Sequence, residues 1–292
     1  IYHLGGLVSV LNSDIIQSVD YLPGGYSVRY GRSTGGVVDV TTRKEAPEQA
    51  RMTWSTDVLD TGALFEGRFG KNKDHHFAVA ARRSYIDKLL PLFLGEAGTL
   101  AKPRWMDYQM RYFHDSERPF TAFLFGFDDI LFIGDQSDTT GQGGSGDTIG
   151  VHYFTHRGLI NYKIPLGERL TLSLTPSMGV DGIYTNIGSD IRLDQLQYLF
   201  EARSEIEWIP NEKLTLLGGI DLLGGRGEFE VDLPFTPADR LGDDPLTEDE
   251  AISFGDKIWA WGPDFYLQAK WRPLQDPEAL LIAPGLRTSF VQ

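Results

Sequence analysis

From about residue 45 onward, apolar and polar side chains alternate with a period of two, the pattern of β-strands whose two faces meet different surroundings. Residues 195–208, QLQYLFEARSEIEW, put Leu196, Tyr198, Phe200, Ala202, Ser204, Ile206 and Trp208 on one face. The opposite face carries Gln195, Gln197, Leu199, Glu201, Arg203, Glu205 and Glu207. Residues 261–271, WGPDFYLQAKW, do the same, with Trp261, Phe265, Leu267, Ala269 and Trp271 opposite Asp264, Gln268 and Lys270. The alternation predicts strands near 49–60, 62–71, 74–86, 103–115, 119–133, 151–165, 168–183, 190–209, 213–233, 257–272 and 280–291.

Length and punctuation then select an architecture. Ten positions separate Tyr198 from Trp208, and ten separate Trp261 from Trp271. At a rise of about 3.3 Å per residue and a tilt of about 40°, that span climbs about 25 Å, the height of the apolar band on a membrane barrel with an aromatic girdle at each edge. Strands of soluble sandwiches are usually about five or six residues long. The joints also alternate: short ones at 71–74, 115–119, 165–168, 210–213 and 273–278, against a set containing long members near 87–102, 134–150 and 234–256. Short turns on one side and long loops on the other mark an outer-membrane barrel, the short side being periplasmic. The expected fold is therefore all-β, a transmembrane antiparallel β-barrel, with Tyr198, Trp208, Trp261 and Trp271 as membrane-interface aromatics.

Three features resist this reading. FTAFLFGF (119–126) is apolar on both faces, Pro263 falls inside a strand where it would remove a ladder hydrogen bond, and the strand count of eleven is odd where bacterial single-chain barrels are even. The chain stops at TSFVQ in mid-strand, and its start, IYHLGGLVSV, has no initiator Met and no charged n-region. The expectation is a piece of a longer protein holding about half of a barrel of about 22 strands, a size that encloses a plugged lumen.

Composition narrows the function. The 292 residues are 41% hydrophobic and 12% aromatic, which suits a folded chain, and no apolar run approaches the length of a transmembrane helix. A formal charge of -14 argues against nucleic-acid binding, and the absence of cysteine removes disulfides, thiolate metal sites and cysteine nucleophiles. Much of the acid lies in 134–149 and 236–256, stretches that read as solvated loops.

A wide barrel needs something inside it, and the first 43 residues have a different texture. NSDIIQSVDYLPGG reads as a capped turn at Asn12 or Ser13 and a strand around Ile16–Leu22; the glycine pairs that follow permit tight turns and close packing before a second strand, VVDVTTR. The ordered set Ser18–Leu22, Gly24-Gly25, Tyr30-Gly31-Arg32, Gly35-Gly36 and Val37–Arg43 resembles the C-terminal end of the plug domain of TonB-dependent outer-membrane receptors. That resemblance implies residues 1–44 as the end of a plug and 45–292 as the N-terminal half of the barrel. Seating such a plug requires complementary charge, for which Arg29, Arg32 and Arg43 are candidates against Glu201, Glu205 and Glu207.

Other constellations carry less. His152 and His156 would be about 13 Å apart on a strand, and His75 and His76 point to opposite faces, so no metal site is expected. GQGGSGDTIG (141–150) is a single glycine-aspartate run without the Gly-Lys-Ser/Thr ending of a phosphate loop. ADRLGDDPLTEDE (238–250) gathers carboxylates that could hold Ca²⁺, but solubility of an exposed loop explains them. DKLLPLFLGEAGTLAKPRW (87–105) is an apolar loop that could cover the plug, dock a surface lipoprotein or pack on neighbouring loops. No nucleophile motif and no cofactor motif is present, and no catalytic residue is expected.

The resemblance implies a non-enzymatic transporter in the bacterial outer membrane. It would carry a scarce or bulky ligand (siderophore, cobalamin, glycan or peptide) with the inner-membrane TonB complex and outer-membrane lipid as partners. A passive porin-like channel or a secretion or assembly scaffold is the alternative; a soluble carbohydrate-active enzyme fits the aromatic spacing and loop asymmetry least.

Overall fold

The computed structural model describes residues 3, 6, 8–33, 35–94, 99–135, 148–188, 191–234, 251–276 and 279–290. After a 3₁₀ turn at Ser13–Ile15, the strands β1 (Ile16–Leu22) and β2 (Val37–Thr42) form a two-stranded antiparallel sheet. Asn12 caps the turn, its side-chain oxygen accepting from the Asp14 N–H at 2.8 Å.

Eleven further strands make one antiparallel meander in which each strand pairs with its sequence neighbours: β3 (Arg51–Thr56), β4 (Asp60–Phe69), β5 (His75–Ser84), β6 (Thr99–His114), β7 (Phe120–Asp135), β8 (Ile149–Pro165), β9 (Leu170–Ile187), β10 (Ile191–Asn211), β11 (Leu214–Pro234), β12 (Ala251–Trp271) and β13 (Gly285–Ser289). The eleven expected strands occur in order. Their ends differ in both directions: β12 begins at Ala251, where the ladder continues past the apolar band with Glu230 opposite Gly255 and Phe229 opposite Asp256, whereas β3 and β13 are shorter than the expected 49–60 and 280–291. The stretch 87–105 is not a plain loop, since it holds all but the first residue of the helix α1 (Ile86–Leu94) and the first residues of β6. Residues 238–250 and 141–147 lie outside the described residues, so the acidic and glycine-rich loops are not described.

Both local difficulties find physical answers. Pro263 accepts a hydrogen bond from the Phe290 N–H at 3.1 Å, so its missing donor faces β13, and the pairing with Leu222 of β11 runs on without a shift. In β7 the outward residues Ala122 and Leu124 alternate with Phe123, Phe125 and Phe127 on the inner face, where Phe125 and Phe127 are buried. The inner apolar stripe is covered by the N-terminal segment: Phe123 packs on the cluster Ile15, Leu64, Ala78 and Ala80, and Phe127 lies edge-on to His3 at 5.7 Å between ring centroids.

The two faces of the meander are opposite in kind. One presents Tyr198, Trp208, Trp261 and Trp271, all about half exposed and away from the N-terminal segment, together with Phe65, Met110, Phe200 and Leu267. The other buries Glu66, Asp107, Gln109, Asp129, Glu205, Asp221, Asp264 and Gln268. An exposed apolar band on this scale is what lipid covers. Near the short-turn ends it closes in a row of rings, Phe69–Tyr112–Phe120–Tyr162, with successive centroids 6.3, 6.0 and 6.3 Å apart.

Candidate functional site

The N-terminal segment lies on the polar face of the sheet at two anchorages. At β4–β7, apolar contact and directed hydrogen bonds act together. Ile15 enters the cluster with Leu64, Ala78 and Ala80. The Gln109 amide donates to the Val10 carbonyl at 2.7 Å and accepts from the Asn12 N–H at 3.0 Å, fixing the chain's direction as well as its position. His3 sits between two aspartates, with Nδ1 2.6 Å from Asp129 and Nε2 3.0 Å from Asp107, and its ring is flanked by Trp105 and Phe127. Arg82 reaches the same Asp107 at 2.8 and 2.9 Å and donates to the Ser9 carbonyl. Further along, Glu66 accepts from Arg43 at 3.3 Å and from Arg51 at 2.7 and 3.0 Å.

At β10–β13 the anchorage is almost wholly ionic. Arg29 donates to both oxygens of Glu205, which also accepts from the Tyr266 hydroxyl at 2.9 Å. Arg203 bridges Asp221, at 2.6 and 3.0 Å, and the Arg29 carbonyl, at 2.9 Å. Arg287 donates to Asp221 at 2.7 Å, to Asp264, and to the Val28 and Arg29 carbonyls at 3.1 and 3.2 Å. Arg32 donates to Asp264 at 3.0 Å and approaches Glu201 at 3.9 Å. Ser27 adds a neutral hydrogen bond to Gln268 at 2.6 Å.

The backbone of residues 24–36 is built for this approach. A Cβ on Gly31 would lie 2.3 Å from the Arg287 guanidinium carbon, so a larger residue there would push that arginine off its present path across the loop to its two aspartates. Left-handed backbone occurs at Gly25 (φ 64) and at Arg32 itself (φ 59), a residue type that adopts it at a cost. Tyr30 ties the loop to β2 through a 2.7 Å hydrogen bond to Asp39. Gly24, Gly35 and Gly36 complete the loop, with Gly36 tight against the Tyr21 ring.

Of the six charged residues singled out from the sequence, Arg29 meets Glu205, Arg32 meets Glu201 only at 3.9 Å, and Arg43 meets Glu66. Glu207 makes no ion pair among the described residues. Sequence reasoning missed Glu66, Asp221, Asp264, Arg203, Arg287 and His3 as partners. Asp264 was at least legible as a polar-face residue; His3 stood in no pattern at all.

His3 sets a pH dependence. Burial alone would lower its pKa, but the hydrogen bonds and charges of Asp107 and Asp129 outweigh that and hold it above the ordinary value of 6.5. Arg82 and, more distantly, Asp60 share the same field. A raised folded-state value means that the clamp contributes fully below about pH 6.5 and loses its contribution as pH rises through the folded value. Amide exchange at Val10 and Leu11 is therefore expected to accelerate with pH beyond its intrinsic dependence, by an opening free energy that falls about 1–2 kcal/mol. His3→Gln should flatten that profile; an unchanged profile in the variant would remove His3 from the account.

No protein-family model and no curated protein sequence matches the chain. Solved structures do. The outer membrane transporter YddB from Escherichia coli superposes with a TM-score of 0.64 at 10% identity, covering 96% of this chain and 44% of that one. BauA, the ferric preacinetobactin receptor from Acinetobacter baumannii, gives 0.57 at 13% identity over 88% of this chain and 43% of that one. The siderophore receptor PiuA from the same organism gives 0.50 at 10% identity over 88% and 48%. The chain thus spans less than half the length of each of these structures, and its fold is that of part of their barrels.

Proposed function

We propose that this chain is part of a TonB-dependent outer-membrane receptor, with residues 1–44 the end of its plug and 45–292 the N-terminal half of its barrel. The observation that carries the reading is the pairing of opposites across one sheet: a band of exposed Tyr, Trp, Phe and Leu on one face, and on the other a separate small sheet and loop held by buried carboxylate–arginine contacts. A pore without a plug has no use for the second feature. The fold shared with an outer membrane transporter and two receptors supports the same assignment.

On this reading the ligand is bound from outside and admitted when the inner-membrane TonB complex pulls on the plug, and no covalent bond of the ligand is made or broken. Ferric siderophores are the first class to test, because two of the similar structures are named as receptors for such ligands. Cells carrying the full gene should accumulate a radiolabelled ferric siderophore from a chemically diverse panel, and a protonophore should abolish the uptake. Uptake that survives the protonophore would mean a passive pore, and a protein extracted without detergent would sink the membrane assignment.

A further inference from the structure

At the short-turn rim, outside the interface just described, β5 and β6 bring two histidines together. His75 stands directly opposite His114 in the ladder, and their rings stack at 4.5 Å between centroids with planes 8° apart. Both project onto the apolar side of the sheet, the side of Phe77 and Met110, whereas His76 points inward. Asp74, in the β4–β5 turn, lies across the open edge of the pair: its Oδ1 is 3.7 Å from Nε2 of His75 and its Oδ2 is 3.6 Å from Nε2 of His114. The three ligand atoms all lie within 4.8 Å of one another.

The surroundings hold this trio in place. Lys73 (φ 60) and Gly70 (φ 91) both take left-handed conformations to fold the turn back on itself. The Asp74 carbonyl then accepts from the Asp115 N–H at 2.8 Å, which ties the turn to the end of β6. A Cβ on Gly70 would lie 2.6 Å from Cδ2 of His75 and 2.9 Å from Oδ1 of Asp74, so the residue that completes the turn also leaves the space they occupy. Nδ1 of His75 is 2.7 Å from the Tyr112 hydroxyl, and Phe69 stacks on the other side of the ring at 4.9 Å. With Nδ1 protonated and donating to the Tyr112 oxygen, Nε2, the atom facing Asp74, keeps its lone pair for a ligand.

We propose that Asp74, His75 and His114 form a binding site for a borderline divalent transition-metal ion such as Zn²⁺, Cu²⁺ or Ni²⁺. Two imidazole nitrogens with one carboxylate oxygen is the donor set these ions select, while Mg²⁺ and Ca²⁺ prefer all-oxygen shells. A tetrahedral centre with bonds of about 2.1 Å separates its ligand atoms by about 3.4 Å. The shortest nitrogen–oxygen spacings, which run to different oxygens of Asp74, are within a few tenths of that. A single centre requires the carboxylate to turn one oxygen toward both imidazoles and the stacked rings to tilt so that both Nε2 lone pairs meet the ion. Three protein ligands leave one position for water at the rim. A bound ion would clip the β4–β5 turn to β6, a local effect that needs only these three strands and does not depend on what the protein transports.

The test is metal binding by the purified, tag-free protein in detergent. Titration with Cu²⁺ should load one equivalent whose electron paramagnetic resonance spectrum shows nitrogen hyperfine structure, and excess Mg²⁺ or Ca²⁺ should not displace it. Asp74→Asn and His114→Gln should each weaken binding at least about tenfold, and Tyr112→Phe, which leaves the ligands intact, by a smaller factor approaching tenfold. His152→Gln and His156→Gln should change nothing. Heat-modifiable gel migration checks that each variant is folded; if His114→Gln fails it, Asp74→Asn, which alters only a turn residue, carries the decision. Absence of a stoichiometric equivalent, displacement by Ca²⁺, or binding indifferent to Asp74→Asn would each overturn the assignment.

Discussion

Arg32→Glu is expected to free residues 24–36 from the sheet while leaving the sheet intact. The substitution replaces a cation 3.0 Å from Asp264 and 3.9 Å from Glu201 with a third carboxylate in the same place. Asp264 has a side chain only 1% exposed, so water cannot take over the lost charge, whereas Arg32 is 36% exposed and its own share is partly screened. Arg287 still holds Asp264, which keeps that residue from being stranded. The net local loss should be about 2–4 kcal/mol, enough to shift a closed loop to one that opens tens to hundreds of times more often. Protease should then cut within 24–36, and ion conductance across a planar bilayer should rise, with no change in the thermal unfolding of the strands. Unchanged conductance together with unchanged protease resistance would show that this arginine does not seat the segment. Arg32→Gly separates charge from backbone: it relieves the left-handed conformation at φ 59 yet removes the ion pair, and should still loosen the loop.

How far these contacts were legible beforehand follows from what a period of two can encode. Alternation assigns each side chain to a face, so the apolar face of β10 and β12 and the carboxylates opposite it could be read directly. Register between distant elements leaves no trace in the period. The arginines of the N-terminal segment were expected to need acidic partners, but which carboxylates they reach depends on the path of residues 24–43 across the strands. The structure uses Glu205 and adds Glu66 and Asp264, one from each flank of the sheet. His75 and His114 were separated for the same reason: 39 positions apart in sequence, they become neighbours only through the β5–β6 ladder. The helix α1 was read as a loop because Pro91 interrupts its six-residue apolar run. The start of β12 was drawn short because pairing continues where the apolar band has stopped, while β3 and β13 were drawn longer than the ladder runs.

The doubly apolar face of β7 shows the converse, where an apparent violation of the pattern marked a contact. A strand lining a water-filled lumen has no reason to point Phe123, Phe125 and Phe127 inward. Here that stripe is the floor on which Ile15 and His3 rest. The N-terminal segment is thus held by two unlike sets of contacts: apolar burial, a pH-sensitive histidine and the Arg43–Glu66 pair at β4–β7, and a network dominated by ion pairs at β10–β13. Salt should weaken the second more than the first, through its part-exposed Arg29 and Arg32 (side chains 34% and 36% exposed), while the apolar contact is unaffected and the buried carboxylates limit the screening. Detachment is then able to proceed from one end without the other.

Glu66 should be the single most costly side chain to lose. It is fully buried at 0% exposure and is the carboxylate on which Arg43 and Arg51 converge. In the ladder Glu66 pairs with Ala78, and Ala78 pairs with Arg111 on the next strand. The small alanine between them leaves Arg111 within the electrostatic reach of Glu66, and Arg43 repels the same guanidinium. Arg111 is itself only 4% exposed, and its Nε and Nη1 have no hydrogen-bond partner among the described residues. Glu66→Leu would leave three guanidiniums around an uncharged centre, one of them buried, a situation that costs about 3–5 kcal/mol. Loss of folded protein, read as lost heat-modifiability or a fall in the denaturant midpoint, is the expected result. The double variant Glu66→Leu/Arg111→Leu should recover much of the loss, since an apolar pair beside Ala78 and Ile15 leaves no buried charge unmatched. If the two substitutions are instead additive, Arg111 does not depend on Glu66, and the cost of losing the carboxylate lies in Arg43 and Arg51 alone.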